Sequence, residues 1–156
     1  MTTFDDAASR ALFNQVASHA ASLGLFDFPV ATHEPKNAPG NGLSCSIVLD
    51  TIGPVQSSGL TATSIKVVFK VRIWNSMLQE PQDGIDPNQL AAATTLMNAY
   101  TGSFTFGSTV REIDLLGEFG DSLSAVAGYI EIDKRIMRVI DITLPVIVND
   151  AWTQGA

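Results

Sequence analysis

The sequence predicts one α+β domain, in which an antiparallel or mixed β-sheet has two helices packed on one face. Two segments repeat apolar side chains at about 3.6 residues, the period of a helix, and five others have the composition or alternation of strands. Neighbouring strands follow one another without helical crossovers, which favours antiparallel pairing. Residues 1–156 contain no linker and no internal repeat. The expected order is therefore helix, strand, strand, helix, strand, strand, strand in a single domain.

The first helix is predicted over residues 3–23. Asp5 and Asp6 lie in its first turn, where they favour the positive end of the helix dipole, and Gly24 suits a C-terminal cap. Residues 25–42 form a long loop rich in proline and glycine. A strand follows from Leu43 to about residue 50, in which apolar and polar side chains alternate, and Gly53-Pro54 predicts a turn.

The clearest strand runs from Ile65 to Trp74. Five of its apolar side chains point one way, and Lys66, Lys70 and Arg72 point the other, with Trp74 ending the strand on the polar face. The five are Ile65, Val67, Phe69, Val71 and Ile73. We name these three cations the basic strip, because no acidic residue lies between residues 50 and 80. The strip is compatible with a solvated outer face, with ion pairs to a neighbouring subunit, or with transient contacts to DNA.

The second helix is predicted to begin at Asp86 and to end at Gly102. Asp86 has the position of an N-cap, Pro87 that of the first helical residue, and Gln89 can complete a capping box.

Three strands are predicted near 110–116, 124–132 and 135–148. The last two form a hairpin that turns at Asp133-Lys134. Pro145 lies inside the last strand, which predicts a sheet edge or a bulge there. Residues 149–156 are predicted to form a polar tail with one exposed anchoring side chain, that of Trp152.

Composition excludes several classes of protein. With 46% hydrophobic and 16% charged residues the chain is not intrinsically disordered. A net charge of −7 disfavours a protein that reads nucleic-acid sequence. One cysteine excludes an internal disulfide. Neither a secretion signal nor a membrane span is recognised, so we expect a protein of the cytoplasm, or one assembled there.

No catalytic constellation, metal site or cofactor motif is predicted. Cys45 lies on the apolar parity of its strand, where a core position is expected. His19 is expected to pack at a helix surface or rim, and His33 lies in the proline-rich loop. Glu112 and Asp114 alternate along a short strand, facing solvent or a subunit. The chain is therefore not expected to be an enzyme.

Three segments carry a resemblance that extends over nearly the whole chain. These segments are Thr32 to Gly40, Glu80 to Pro87 and Leu144 to Asp150. Together with the order of elements, they resemble small tail proteins of long-tailed bacteriophages that infect actinobacteria, in particular the tail terminators.

The resemblance implies a structural virion protein at the head-proximal end of the tail, made in the host cytoplasm. Such a protein forms a homo-oligomeric ring, with six-fold symmetry expected, that caps the tail tube and stops its polymerisation. Its implied partners are the tail-tube protein and the head-tail connector or stopper protein, and DNA passes through the lumen without being read. An acidic lumen would repel the DNA. Two alternatives stay open, a head-completion or stopper protein and a small-ligand-binding α+β domain.

Three elements are expected to form subunit contacts. They are the loop from Pro29 to Gly42, the loop from Ser76 to Ile85, in which Met77 and Leu78 are expected to be exposed, and the basic strip, which would meet acidic residues of a neighbour. The individual interface candidates are Pro35, Lys36, Asn37, Met77, Leu78, Lys66, Lys70, Arg72 and Trp152.

Overall fold

The computed structural model describes residues 4–35, 42–55, 62–77, 82–106 and 110–153. They form two α-helices and a five-stranded antiparallel sheet, so the predicted α+β class and order of elements are confirmed. The elements are α1 (Asp6–Ser22), β1 (Leu43–Val55), β2 (Ala62–Ser76), a short 3₁₀ helix (Gln82–Gly84), α2 (Ile85–Gly102), β3 (Glu112–Ile113), β4 (Ser124–Ile132) and β5 (Arg135–Thr153).

Strand β5 is the centre of the sheet. One side of β5 pairs with β2, and β2 pairs in turn with β1. The other side of β5 pairs first with β4, as far as Thr143, and then with β3, from Val146 to Ile147. The two edges of the sheet are therefore β1 on one side and β4 followed by β3 on the other.

Pro145 lies in this central strand, which differs from the predicted edge or bulge. Its carbonyl oxygen accepts a hydrogen bond from the Asp114 amide at 2.9 Å, so its ring nitrogen faces the same side of β5. That side is the junction between the last β4 pair and the first β3 pair. The proline is tolerated there because no ladder bond requires its missing N–H group.

Both helices cover the same face of the sheet, where they form the main core. The apolar faces of α1 and α2 pack on those side chains of β2 and β5 that point toward the helices, which are every second residue of each strand. The ring of Phe13 on α1 meets that of Phe69 edge-on, with centroids 5.0 Å apart. Buried members of this core include Leu12, Val16, Leu96, Tyr100, Ile47, Phe69, Val71, Ile142 and Leu144.

A smaller apolar cluster occupies the opposite face. Trp74 lies there, on the polar parity as predicted, but it is fully buried against Met137 and Val139. Its indole Nε1 donates to Ser46 Oγ at 2.9 Å, which satisfies the polar atom of a buried tryptophan.

The two helices begin differently. Asp5 caps α1 by accepting a hydrogen bond from the Ala8 amide at 3.0 Å. The predicted cap of α2 is wrong, because the helix begins at Ile85 after Gly84 and has no side-chain cap. Asp86 instead accepts from Arg138 at 2.9 Å, and buried Gln89 donates to two sheet carbonyls. Tertiary contacts with β2 and β5 have replaced the local capping box.

Three strand limits also differ from the predicted ones. β1 continues through Gly53-Pro54, where a turn was expected, because an edge strand does not need the missing proline donor. β5 continues to Thr153, so residues 149–153 are strand rather than polar tail. β3 has only two residues. The hairpin turn at Asp133-Lys134 is confirmed, with φ of 52° and 61°, the signature of a type I′ turn.

Candidate interaction surfaces

Two of the three cations of the basic strip have acidic partners in their own chain. Lys66 Nζ lies 3.1 Å from Asp121 Oδ2 and donates to the Phe119 carbonyl at 2.6 Å. Arg72 binds Asp141 through two nitrogens, with Nε to Oδ1 at 2.6 Å, and reaches Glu34 at 3.1 Å. These carboxylates are distant in sequence from β2. The absence of acidic residues between positions 50 and 80 therefore did not indicate that the cations lack partners.

Lys70 is the remaining cation of the strip. It is half-buried between Lys66 and Arg72 on β2, and it forms no ion pair with the residues that the structure describes. Of the three cations, Lys70 alone is without an acidic partner among the described residues, as the sequence suggested for all three.

The other predicted contact residues are dispersed. Pro35 is half-buried beside Glu34, and Met77 is half-buried at the end of β2, which differs from the exposed position expected for it. Trp152 is exposed near the end of β5, opposite Thr63. Lys36, Asn37 and Leu78 lie outside the described residues.

The segment after β3 is organised by Asp114, whose role sequence reasoning missed. This buried carboxylate accepts from the amides of Gly117 at 3.1 Å, Glu118 at 2.8 Å and Phe119 at 2.9 Å. It therefore differs from the predicted group facing solvent or a subunit. The Asp-x-x-Gly spacing was the available signal, because aspartate often bonds amides that follow it in a turn.

This braced segment presents Leu116, which is 94% exposed. Shallow grooves lie on both sides of it, lined on one side by Phe104 and on the other by Met97 and Thr101 of α2. We call Leu116, Phe104 and Met97 the β3-side patch. An isolated exposed leucine is ordinary, but here Asp114 fixes the backbone directly after Leu116, and further apolar atoms lie beside the leucine.

A second apolar patch lies at the other edge of the sheet. Leu49 and Ile52 are each about half exposed on β1, at 50% and 49%. They oppose Phe69 and Val67, so they lie on the helix-bearing face. We call these two residues the β1-edge patch. The beginning of β1 is covered instead, because Ala31 bonds to Cys45 and Ile47.

Burial and packing determine the environments of Cys45, His19 and Tyr100. Burial raises the pKa of the Cys45 thiol to about 12, so the thiol stays protonated near neutral pH. His19 stacks on Tyr100, with ring centroids 5.2 Å apart, and meets Phe106 edge-on. Burial lowers the pKa of His19 and raises that of Tyr100. Packing accounts for this aromatic cluster, and His19 contributes to it from the helix rim, as predicted.

No group of three or more metal-binding side chains occurs within the described ranges. In the same part of the chain, no helix is long and apolar enough to cross a membrane. Comparison with protein-family models and with curated protein sequences finds no match.

Proposed function

We propose that the chain is the subunit of a tail-terminator ring, which caps the tail tube of a long-tailed phage and joins it to the head. The observation that carries this proposal is the pair of different apolar patches at opposite edges of one sheet. The β3-side patch and the β1-edge patch cannot meet within one molecule, because β2 and β5 lie between them.

Two dissimilar patches on opposite sides favour a head-to-tail contact between copies. Such a contact repeats from copy to copy, and it produces a closed ring when the rotation per subunit brings the last subunit back to the first. In the proposed contact Leu116 of one subunit packs against Leu49 and Ile52 of the next. Full burial of one such side chain contributes about 1.5–3 kcal/mol, and a ring repeats the contact at every subunit.

The charge distribution supports a passive conduit for DNA. The chain has a net charge of −7, and two of the basic-strip cations are already neutralised by their own carboxylates. A surface with few free cations does not hold phosphates, so DNA would move past the ring without binding. In this proposal the tail-tube protein and a head-tail connector or stopper protein are the partners of the two faces.

The oligomeric test compares two leucines. Native mass spectrometry of the wild-type chain should give a ring near six times 16.6 kDa. Leu116→Asp should abolish that species, since it places a charge in the contact. Leu90→Asp, which changes an exposed leucine of α2 outside both patches, should retain the ring. Loss of the ring in both variants, or in neither, contradicts the proposed contact.

Electron microscopy of a lysate in which the gene is disrupted tests the biological role. A terminator predicts overlong tail tubes beside full, tailless heads. Emptied heads beside tails of normal length would support the head-completion or stopper alternative, and normal particles would contradict both.

A further inference from the structure

Strand β4 forms an edge of the sheet that lacks the usual protection against pairing. Its nine residues contain no proline, lysine or arginine, and its pairing with β5 runs from Ser124 to Ile132 without a register shift. Most soluble proteins interrupt such an edge with a bulge, a proline or an inward charge, because an open strand pairs with other chains. β1 has both a bulge near Asp50 and Pro54, so β4 is the distinctive edge.

The side chains of β4 are exposed on both faces of the sheet. Val126, which points to the face opposite the helices, is 71% exposed, and Tyr129, on the helix-bearing face, is 62% exposed. Among the described residues, β4 pairs with β5 alone. Since alternate residues of a strand direct their amides to opposite sides, and Ile132 pairs with Arg135 across the two-residue turn, Ala125, Ala127, Tyr129 and Glu131 direct theirs away from β5.

We propose that β4 binds β4 of a second copy of this chain, antiparallel, with the two-fold axis at Gly128. This register overlaps all nine residues and sets the four outward-directed residues against one another. Ala127 then opposes Tyr129, Ala125 opposes Glu131, and Val126 opposes Ile130. Small side chains meet large ones, and the only charged residue, Glu131, does not meet its own copy.

Strand β4 of a second copy is a better partner for this edge than strand β1 of a second copy. The uncovered part of β1 is interrupted by its bulge, and Pro54 lacks a donor, so β1 cannot offer nine consecutive residues. Self-pairing also covers the β4 edge of both copies in one contact and joins their sheets into one sheet of ten strands. β4 is separate from both patches of the proposed ring, so its pairing does not depend on that ring.

Cross-linking tests the position of the axis. In the proposed register the two Gly128 Cα atoms are about 4.5 Å apart, within the range that a disulfide spans. An added Cβ at Gly128 meets no atom within 4 Å, and Cys45 is buried, so Gly128→Cys introduces the one accessible thiol in the described part of the chain. Val126→Cys is the matched control, because its two copies would lie about 13–14 Å apart.

Oxidation of Gly128→Cys should give a covalent dimer of twice 16.6 kDa, and oxidation of Val126→Cys should give none. This result supports the register whether the dimer is free or part of a larger assembly. Equal cross-linking of both variants, or cross-linking of neither, overturns it.

A charge exchange at Ala125 gives an independent measurement. Ala125→Glu places a like charge opposite Glu131 of the second copy, and Ala125→Lys places an opposite charge there. Because the contact occurs twice in the dimer, the dissociation constant should rise about 2- to 30-fold for the glutamate variant and fall by a similar factor for the lysine variant. Sedimentation equilibrium measures both, and equal shifts in one direction, or a wild-type chain that stays monomeric at every concentration, would refute the pairing.

Discussion

Replacing Asp114 by alanine removes the group that holds the segment carrying Leu116. The carboxylate accepts three amide hydrogen bonds of 2.8–3.1 Å, and each bond to a charged group contributes about 1.5–3 kcal/mol. The freed amides of Gly117, Glu118 and Phe119 lie in a half-exposed segment, so water can replace part of the loss. We therefore expect the free energy of unfolding to fall by about 2–4 kcal/mol. For a domain of this size the melting temperature should fall by about 5–15 °C.

Urea denaturation measures the free energy of unfolding of the whole domain, and amide hydrogen exchange measures the local protection of the three amides. Asp114→Ala should lower the global stability and speed the exchange of the three amides. Asp114→Asn should cost about half as much, because Oδ1 can still accept while the new amide opposes the Phe119 N–H group. Asp50→Ala removes the same charge from an exposed position and serves as the control. If Asp114→Ala destabilises by less than about 1 kcal/mol beyond Asp50→Ala, the carboxylate does not brace this segment.

Three further results are expected. Arg72→Glu should destabilise the fold by about 2–3 kcal/mol in urea, because it faces Asp141, whereas Lys70→Glu should have little effect; equal losses would contradict the assigned ion pairs. Burial lowers the pKa of His19, so the unfolded chain binds a proton that the folded chain does not. Stability should then fall as the pH drops below the unfolded value of about 6.5, and His19→Phe should flatten this dependence in thermal melts; an unchanged profile would exclude His19 as its source. Cys45 should react with a thiol reagent at pH 8 only at the rate of unfolding, and a fast reaction in the native state would place the thiol at the surface.

Local sequence patterns were sufficient for the features that local forces determine. Alternation identified β2 and the inward position of Cys45, because a buried strand face repeats every second residue. Asp133-Lys134 was identified as a hairpin turn because two strand patterns flank a two-residue break. Gly102 ends α2 as expected from its helix-breaking character.

Tertiary contacts explain what the sequence did not reveal. Asp86 had the pattern of a helix cap, but a partner 52 residues away, Arg138, binds its carboxylate. The basic strip seemed unpaired because Asp121 and Asp141 come from later segments. Pro145 suggested an edge, and only the succession of β4 and β3 along β5 shows how a central strand accommodates it. The apolar patches depend on which side chains the helices leave uncovered, which periodicity does not indicate.

The central position of β5 determines the order in which this protein can fold. β5 comes after every other strand in the chain, yet Ile65 of β2 must pair with Val148 of β5. The β4–β5 hairpin is local and can form early, whereas closing β2 onto β5 requires a long loop and is slow. During synthesis β1 and both helices can already contact β2, but the edge of β2 that pairs with β5 stays open until β5 has been made. The same strand that unites the sheet makes the nascent chain vulnerable to aggregation until synthesis passes residue 148.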